Sequence, residues 1–376
     1  MAENTQKKPM PEWLRRAGRF LGVLPIEYKA KEGPVTVGGE VGRVSKDLLV
    51  AFAAALFFIQ FVIQAFKIPT GSMEDSLLVG DFLLGLKYVY GAPIPFSYEK
   101  LPGMREPEKN DVVIFKFPGD PNYPNNVEER YVKLINTFVF GILFWDKEEH
   151  KVVVHSPKDF IKRCIGASGD TVVYKEKALY VNGKEVALAP KGKHDDQRML
   201  PPDLEPRDTF GPYVVPRKGE RFVFDSLSLR EFYWIRSLVY QENPTSKLET
   251  VLSFYVDDSL YTRIHQKGAL YIKYTDWDWH ALNRQITSFR ENIQKKALRV
   301  KWEVTLDGQK ITEYTLRENA FFMMGDNRDN SLDSRYWGFV SKKFVKAKAF
   351  IIYFSWDSFE AWFSAIRFSR VGKLIF

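Results

Sequence analysis

The apolar and polar positions divide the chain into one long uncharged run and many short strand-like runs. Leu48–Phe66 reads LLVAFAAALFFIQFVIQAF, nineteen residues in which Gln60 and Gln64 are the polar interruptions. A helix of this length covers about 28 Å, close to the hydrocarbon thickness of a bilayer. The run predicts a transmembrane anchor at residues 47–67, with a buried core helix as the alternative.

Flanking charge predicts how this anchor is oriented. Residues 1–46 carry nine Lys or Arg, whereas the thirty residues after Ile68 carry one, Lys87. The positive-inside rule places the basic tail 1–46 in the cytoplasm and the rest of the chain on the extracytoplasmic side. A cleaved signal peptide fits poorly, because the preceding arm is long and the run ends in Gln64-Ala65-Phe66. No second comparable run follows, which predicts a single-pass protein.

After Ile68 the pattern changes to short β-type runs separated by Gly, Pro, Asn and Asp, namely DFLLGLKYVYG, NDVVIFKFPGDP, HKVVVH, TVVYKEKALYVNGKEV and GPYVVPRKGERFVF. TVVYKEKALYVNG predicts a hairpin, and Asn182-Gly183 is the next turn signal. Many short strands at this spacing predict a mainly β, antiparallel barrel or sandwich.

Helical spacing interrupts this β pattern between about residues 226 and 300. REFYWIRSLVYQ and WHALNRQITSFRENIQKKAL predict helices, and KWEVTLDGQKITEYTL then returns to strands with a turn at Asp307-Gly308. We therefore expect a β core formed by 68–185 and 319–376. Residues 186–318 form a second β region with an inserted α-containing subdomain, and the part at 221–318 has no evident role.

Composition excludes several classes of protein. Hydrophobic content of 45% and aromatic content of 15% are typical of a folded chain. The net charge of +8 would suit nucleic acid, but no basic cluster is interleaved with aromatic residues, so no nucleic-acid partner is expected. Cys164 is the only cysteine, which excludes an intramolecular disulfide.

Three segments carry candidate chemistry. The first is IPTGSMEDSLLVGD at 68–81, where Ser72 follows the anchor closely and Gly71 permits close backbone approach. Taken alone, Ser72 is more typical of a turn residue than of a nucleophile. The second is DFIKRCIGASGDTVVY at 159–174, where strand alternation puts Phe160, Lys162 and Cys164 on one face. Lys162 would then be partly desolvated, or it would be an edge-strand lysine that discourages aggregation.

The third segment, FFMMGDNRDNSLDSRYWGFV at 321–340, holds a dense polar loop between two apolar runs. Its side chains could satisfy one another in a rigid hydrogen-bonded network, which a surface loop does not need. Other chemistries lack support. The five histidines occur in no serine-triad motif, no cluster has metal-ligand spacing, and no nucleotide-binding glycine loop is present, so neither metal nor cofactor is expected.

In this order behind an anchor, the three segments resemble bacterial type I signal peptidases (leader peptidases). That family carries a Ser-Gly-Ser-Met box, a Lys-Arg strand before a Gly-x-x-Gly-Asp turn, and a Gly-Asp-Asn-Arg-Asp-Asn-Ser-x-Asp-Ser-Arg box. Here these are Thr70–Met73, Lys162-Arg163 before Gly166–Asp170, and Gly325–Arg335, the last matching over eleven positions. The likeness covers about 67–185 and 319–340.

The resemblance implies a Ser/Lys serine endopeptidase that removes signal peptides from exported preproteins. Ser72 would be the nucleophile and Lys162 the general base, with Ser331 holding the lysine amine. The oxyanion would be bound by the Ser72 N–H and the Thr70 hydroxyl. The site would be braced by four further side chains, Arg163, Asp326, Asp333 and Arg335, the last two as an ion pair.

The resemblance also implies how substrate binds. A signal peptide would pair along the strand Asp159–Lys162, and small pockets selecting an Ala-x-Ala-type site would be lined by Ile68, Met73, Leu77, Phe160 and Ile161. Besides signal peptides, the implied partners are the phospholipid membrane and, as a further candidate, the secretion translocon. Lys133 ranks below Lys162 because it lacks the following Arg and the glycine turn.

Two departures from the family pattern concern turn rigidity. The family's Pro-Thr is Asp75-Ser76 here, and its Leu-Pro is Ala167-Ser168. Two alternatives to a general signal peptidase stay open on the sequence. One is an inactive binding or assembly factor on a peptidase-like scaffold, and the other is a specialised enzyme with one dedicated substrate.

Overall fold

The computed structural model describes residues 37–95, 97, 99–118, 131–137, 141–146, 150–155, 159–200, 207–267, 298–357, 360 and 362–376. Within them the chain is mainly β, as the alternation of apolar and polar residues predicts. The described residues divide into two compact units after Ala54. The N-terminal arm 1–36 and most of the predicted second helix of the insertion lie outside the described residues.

The helical elements are few. The α-helices are α1 (Val37–Phe57), α2 (Leu229–Glu242) and α3 (Ser334–Trp337), and a π-helical turn, Phe58–Val62, continues α1. Short 3-10 turns occupy Gly71–Met73, Phe224–Ser226, Arg328–Asn330, Trp362–Ala365 and Phe368–Arg370.

The strands follow in chain order as β1 (Ile63–Lys67), β2 (Asp81–Leu86), β3 (Val112–Lys116), β4 (Tyr131–Thr137), β5 (Gly141–Asp146), β6 (Lys151–His155), β7 (Asp159–Gly166), β8 (Thr171–Lys175), β9 (Ala178–Val181), β10 (Lys184–Val186), β11 (Phe210–Val214), β12 (Arg221–Val223), β13 (Leu248–Val256), β14 (Ser259–Lys267), β15 (Leu298–Leu306), β16 (Gln309–Ile311), β17 (Glu313–Thr315), β18 (Ala320–Met324), β19 (Val340–Ser341) and β20 (Val345–Ser355). They form five sheets, with orders β1-β2-β20-β3-β7-β18-β19, β10-β9-β8-β11, β12-β17, β14-β13-β15-β16 and β4-β5-β6. Neighbouring strands within these sheets are antiparallel, so short connections can join many of them.

The bounds of the helix differ from those predicted for the anchor, residues 47–67. The helix begins at Val37, inside the stretch predicted as a loose tail, and Ile63–Lys67 is not helical but pairs as β1 with Phe82–Leu86 of β2. β2 therefore supplies hydrogen-bond partners for the backbone N–H and C=O groups of β1. Composition alone cannot reveal such a pairing. Among the described residues, one helical stretch, Ser45–Val62, is long and apolar enough to cross a membrane. Gln60, near the end of this stretch, is buried and donates to the Pro93 carbonyl at 2.6 Å.

The predicted hairpins are confirmed. β8 and β9 pair around Glu176-Lys177, and β9 and β10 pair around Asn182-Gly183. All four turn residues have positive φ, the geometry of a type I′ turn. The expected domain boundary at residue 185 does not separate two sheets, because β11 pairs with β8 across it.

The insertion leaves the core through a two-stranded ladder. β12 pairs with β17, which brings Arg221 opposite Thr315 and Val223 opposite Glu313. Helix α2 begins after Ser228, whose side chain and that of Glu231 cap each other's backbone in a capping box. At its far end, Gln241 donates to the Phe339 carbonyl at 2.9 Å and accepts from the Ser341 N–H, which joins the helix to β19. The predicted helix in REFYWIRSLVYQ is therefore confirmed and is packed on the central sheet.

Two hydrophobic cores support the molecule. The larger core packs α2 against β18 and β19. Within it the Phe210 ring contacts the rings of Trp234 and Phe322, and the Phe339 ring contacts the same two. The smaller includes Ile68, Met73 and Leu77, which flank Ser72 in the sequence, together with Val112 and Ile161 from β3 and β7. The turn around Ser72 is thus fixed on apolar side chains of the seven-stranded sheet.

Candidate active site

Ser72 lies in the 3-10 turn that follows β1. The entry to the turn is fixed because Ile68 donates to the Asp81 carbonyl at 2.9 Å and accepts from Gly80 N–H at 3.0 Å. The turn closes with a bond from Glu74 N–H to the Gly71 carbonyl at 2.9 Å. Ser72 is 8% exposed, so its hydroxyl lies at the edge of solvent and not in an open surface turn.

Lys162 reaches the Ser72 hydroxyl from β7. Its Nζ donates to Ser72 Oγ at 2.5 Å and lies 5.2 Å from the centre of the Phe160 ring. The side chain is 3% exposed. Burial disfavours the ammonium form and lowers the lysine pKa from 10.5 to about 8, although the nearby Asp333 and Asp326 carboxylates oppose this change. A considerable fraction of this amine is therefore neutral near pH 8.

Arg163, the next residue along β7, is buried in a second set of contacts. Its Nε and Nη2 donate to the two oxygens of Asp326 at 2.8 and 2.7 Å, in a bidentate pair. Asp326 also accepts from the Ser76 hydroxyl at 2.6 Å. This pair joins β7 to the polar loop and to the segment that follows Ser72.

Asp333 and Arg335 form the centre of the polar loop. Arg335 Nε and Nη2 donate to Asp333 at 2.8 and 2.9 Å, and both side chains are fully buried. The remaining Arg335 N–H groups donate to the carbonyls of Arg207 and Arg328. Asp333 also accepts from Gly325 N–H at 3.1 Å. These buried hydrogen bonds restrain the polar loop around Asp333.

Ser331 does not make the hydrogen bond to Lys162 that the resemblance implies. Its hydroxyl is buried and lies close enough to Asp333 to help keep the pKa of that carboxyl low. It meets hydrogen-bond geometry with none of the residues that the structure describes. Lys162 Nζ is bonded to Ser72 instead. The Thr70 hydroxyl lies 3.5 Å from Ser72 Oγ, on the same side of the turn.

A cavity of about 220 Å³ opens beside Ser72 and Lys162. Its walls include five of the expected substrate-binding residues: Ile68, Met73, Asp159, Phe160 and Ile161. Leu77, the sixth, is fully buried in the smaller core and does not line the cavity.

Three residues that the sequence did not single out for binding, Pro69, Asn330 and Leu332, complete the wall. Asn330 and Leu332 flank Ser331 in the polar loop. This position beside a predicted site residue was the one sequence signal that could have identified them as lining residues. Leu332 occupies the variable position of the box, where no residue type was expected.

One edge of β7 faces this cavity without a strand partner. β3 pairs along the first edge, from Arg163 to Asp159. On the second edge β18 pairs only with Arg163, Cys164 and Gly166. In the described part of the chain, Asp159–Lys162 therefore has free backbone groups on that side, which an extended peptide can use.

The turn after Ser72 differs from one that contains proline. Asp75 has a φ of 68°, in the left-handed region, and proline is restricted to a φ near −65°. The Asp75-Ser76 departure therefore changes the backbone of this segment. Lys133 lies in β4, and its side chain is outside the described residues.

Comparison with known proteins identifies the family of this chain. The family model described as "Signal peptidase, peptidase S26" matches residues 41–228 and 262–356, most of the chain. The chain is also similar to proteins named Signal peptidase I. The protein of Buchnera aphidicola subsp. Schizaphis graminum is 28% identical to it over 333 residues, which cover 88% of this chain and 81% of that protein. The protein of Haemophilus influenzae is 25% identical over 363 residues, covering 95% and 80%. That of Aquifex aeolicus is 26% identical over 310 residues, covering 82% of each. The chain belongs to the signal peptidase family, peptidase S26.

Proposed function

We propose that this protein is a membrane-anchored serine endopeptidase that removes signal peptides from exported preproteins. The observation that carries the proposal is the 2.5 Å contact between a buried lysine amine and a serine hydroxyl at the wall of a cavity. The names of the similar proteins support the same substrate class. An inactive scaffold would have no reason to keep a lysine in a site that lowers its pKa to about 8.

The chemistry follows from the positions of the two groups. Neutral Lys162 takes the proton of Ser72 Oγ as that oxygen bonds to the scissile carbonyl carbon. The carbonyl oxygen gains the negative charge and is stabilised by the Ser72 N–H and the Thr70 hydroxyl. Lys162 then donates the proton to the departing amine as the C–N bond breaks. Lys162 then takes a proton from water as the water oxygen bonds to the carbonyl carbon of the ester on Ser72. The C–O bond to Ser72 Oγ breaks, and Lys162 returns the proton to that oxygen, which releases the new carboxyl end and restores the enzyme.

The remaining site residues bind substrate or hold the reacting groups. The signal peptide extends along the free edge of Asp159–Lys162, with small side chains directed into the cavity. The cavity of about 220 Å³ beside Ser72 and Lys162 has room for the small side chains of an Ala-x-Ala-type site. The Arg163–Asp326 and Asp333–Arg335 pairs keep β7 and the polar loop in register with Ser72.

We place the catalytic domain on the extracytoplasmic side of the membrane, with the N-terminus in the cytoplasm. The support is the charge asymmetry around the apolar helical stretch Ser45–Val62, with nine Lys or Arg in residues 1–46 and one, Lys87, in the thirty residues after Ile68. The domain organisation we propose is an anchor followed by one peptidase core that carries an insertion between β12 and β17. The translocon stays a candidate partner for that insertion.

The test is cleavage of a model preprotein by the full chain in detergent, with N-terminal sequencing of the product. We expect Ser72→Ala and Lys162→Met to lose at least about a thousandfold in kcat, since each removes a reacting group. Ser259→Ala and Lys175→Met, at exposed positions, are the matched controls and should cleave normally. Near wild-type cleavage by either active-site variant would disprove the Ser/Lys assignment, and no cleavage by the wild type would favour the inactive scaffold.

A further inference from the structure

Three segments meet at Asn327, which is fully buried in the polar loop. They are the nucleophile turn (Gly71–Ser76), the polar loop (Asp326–Arg335), and a stretch of the connection after β10, here called the docking segment (Lys193–Asp196). The backbone N–H of Asn327 donates to the Ser72 carbonyl at 3.1 Å. Asn327 is therefore bonded directly to the main chain of the proposed nucleophile.

The side chain of Asn327 joins the other two segments. Its Nδ2 donates to Asp195 Oδ2 at 2.6 Å and to Glu74 Oε2 at 3.3 Å. Its Oδ1 accepts from Asn330 N–H at 3.3 Å. One amide thus donates to two carboxylates from separate segments, and hydrogen bonds to charged acceptors are stronger than those between neutral groups.

Backbone bonds hold the docking segment on both sides of this amide. Lys193 N–H donates to the Asp326 carbonyl at 3.0 Å, and Arg328 N–H donates to the Lys193 carbonyl at 3.0 Å. Further along, Asp196 N–H donates to Asp329 Oδ2 at 2.7 Å. The docking segment is therefore attached to the polar loop as a short parallel bridge, and Asn327 lies at its centre.

Lys193 supplies the counter-charge on the outer side of the junction. Its Nζ lies 3.1 Å from Glu74, 3.4 Å from Asp75 and 3.2 Å from Asp195. All four side chains are partly exposed, and ion pairs at such positions contribute little to stability. The buried amide of Asn327, and not this lysine, is the stronger link between the segments.

We propose that Asn327 is a positioning residue for Ser72, acting through its bonds to the Ser72 carbonyl, Glu74 and Asp195. The proposal rests on the function argued above. A bond to the Ser72 carbonyl restricts ψ of Ser72, and the bond to Glu74 holds the residue two places further on. Together they fix where Ser72 Oγ and its N–H point, and a displacement of about 1 Å in such a group can cost about a hundredfold in rate.

The test exchanges donor and acceptor across the Asn327–Asp195 contact in the full chain. Asn327→Asp places a carboxylate against Asp195 and Glu74, and we expect kcat to fall about 10- to 100-fold with KM changed less than about threefold. Asp195→Asn alone should have a smaller effect, because an amide can still accept. In the double variant N327D/D195N the amide introduced at position 195 donates to the carboxylate introduced at position 327, and we expect at least about tenfold recovery of kcat over N327D.

The outcomes separate this inference from the proposed function. If the wild type cleaves but N327D keeps its kcat, or the folded double variant shows no recovery, the Asn327 side chain does not position Ser72 and the proposal is overturned. If N327D does not fold, Asp195→Ala at the partly exposed partner should still lower kcat about three- to tenfold, and an unchanged kcat there overturns the proposal. If the wild type cleaves no preprotein, the proposed function itself fails.

Discussion

Lys162 Nζ and Ser72 Oγ are 90 positions apart in sequence and 2.5 Å apart in the structure. One comes from the middle of the seven-stranded sheet and the other from a 3-10 turn packed on the smaller core. Neither residue has an unusual local sequence for its element. Their chemistry depends on burial that they share only after the sheet has formed.

The rate of cleavage should depend on the protonation of Lys162. Burial lowers its pKa to about 8, and only the neutral amine can take the serine proton. We expect kcat/KM to rise about tenfold per pH unit below pH 8 and to level off above it. A pH–rate profile of the full chain from pH 6 to 10 measures this directly. A profile that is flat across pH 7 to 8 would contradict the assignment of Lys162 as the base.

Lys162→Met should make the folded protein more stable at neutral pH while abolishing cleavage. The pKa of Lys162 is lower in the folded protein, about 8, than the 10.5 of an exposed lysine. The folded state therefore binds fewer protons between these values, and the wild type loses stability as pH falls from 10.5 to 8. The full penalty, about 3 kcal/mol, is present below pH 8.

Methionine avoids that penalty, so the gain in the free energy of unfolding should approach this value at pH 7 and fade towards pH 10.5. Urea unfolding at pH 7 and pH 10 compares the two proteins. A stability difference that does not change between these pH values would show that burial of the amine is not its cause.

The Arg163–Asp326 pair should be sensitive to the loss of one partner. Arg163→Met leaves a buried carboxylate with Ser76 as its remaining side-chain donor, which should cost about 3–5 kcal/mol of unfolding free energy. The double variant R163M/D326L should be less destabilised than R163M, because no unpaired charge remains. The control is Arg221→Met, which breaks the exposed pair with Glu313 and should cost less than about 1 kcal/mol. Equal effects of R163M and R221M would contradict the burial argument.

Gly325→Ala should impair catalysis more than stability. A Cβ at Gly325 would lie 2.5 Å from the Ser72 carbonyl oxygen, and the Ser331 hydroxyl would be closer still. The nucleophile turn would have to shift, so we expect kcat to fall at least about a hundredfold. Gly308→Ala is the control, since a Cβ there meets open space in the insertion; the φ of 79° makes alanine cost about 1–2 kcal/mol in stability, and cleavage by the folded protein should be unchanged. Equal kcat values for both variants would show that the turn tolerates displacement.

Local patterns were reliable where an element is determined by its own residues. Alternation predicted β2, β3 and β8–β10, and the spacing of REFYWIRSLVYQ predicted α2, because these elements use periods and turn residues visible within a dozen positions. The same reasoning failed at Ile63–Lys67, which continues an apolar run but pairs with β2. An apolar residue suits a membrane helix and a buried strand equally well. Pairing with β2 determines that this segment is a strand.

The chain itself determined the chemical groups of the site and their order. Ser72, Lys162 and the polar loop were singled out through the resemblance of three sequence segments to one family, and their roles stay predictions. The tertiary structure alone decided their contacts: Ser331 makes no bond to Lys162, Leu77 is buried in the smaller core and does not line the cavity, and Leu332 and Asn330 line it. It also brought Asp195 to Asn327 and, through it, to the Ser72 main chain. The physical reason is that residue type fixes which bonds a group can make, whereas packing of distant segments fixes which partner lies within reach.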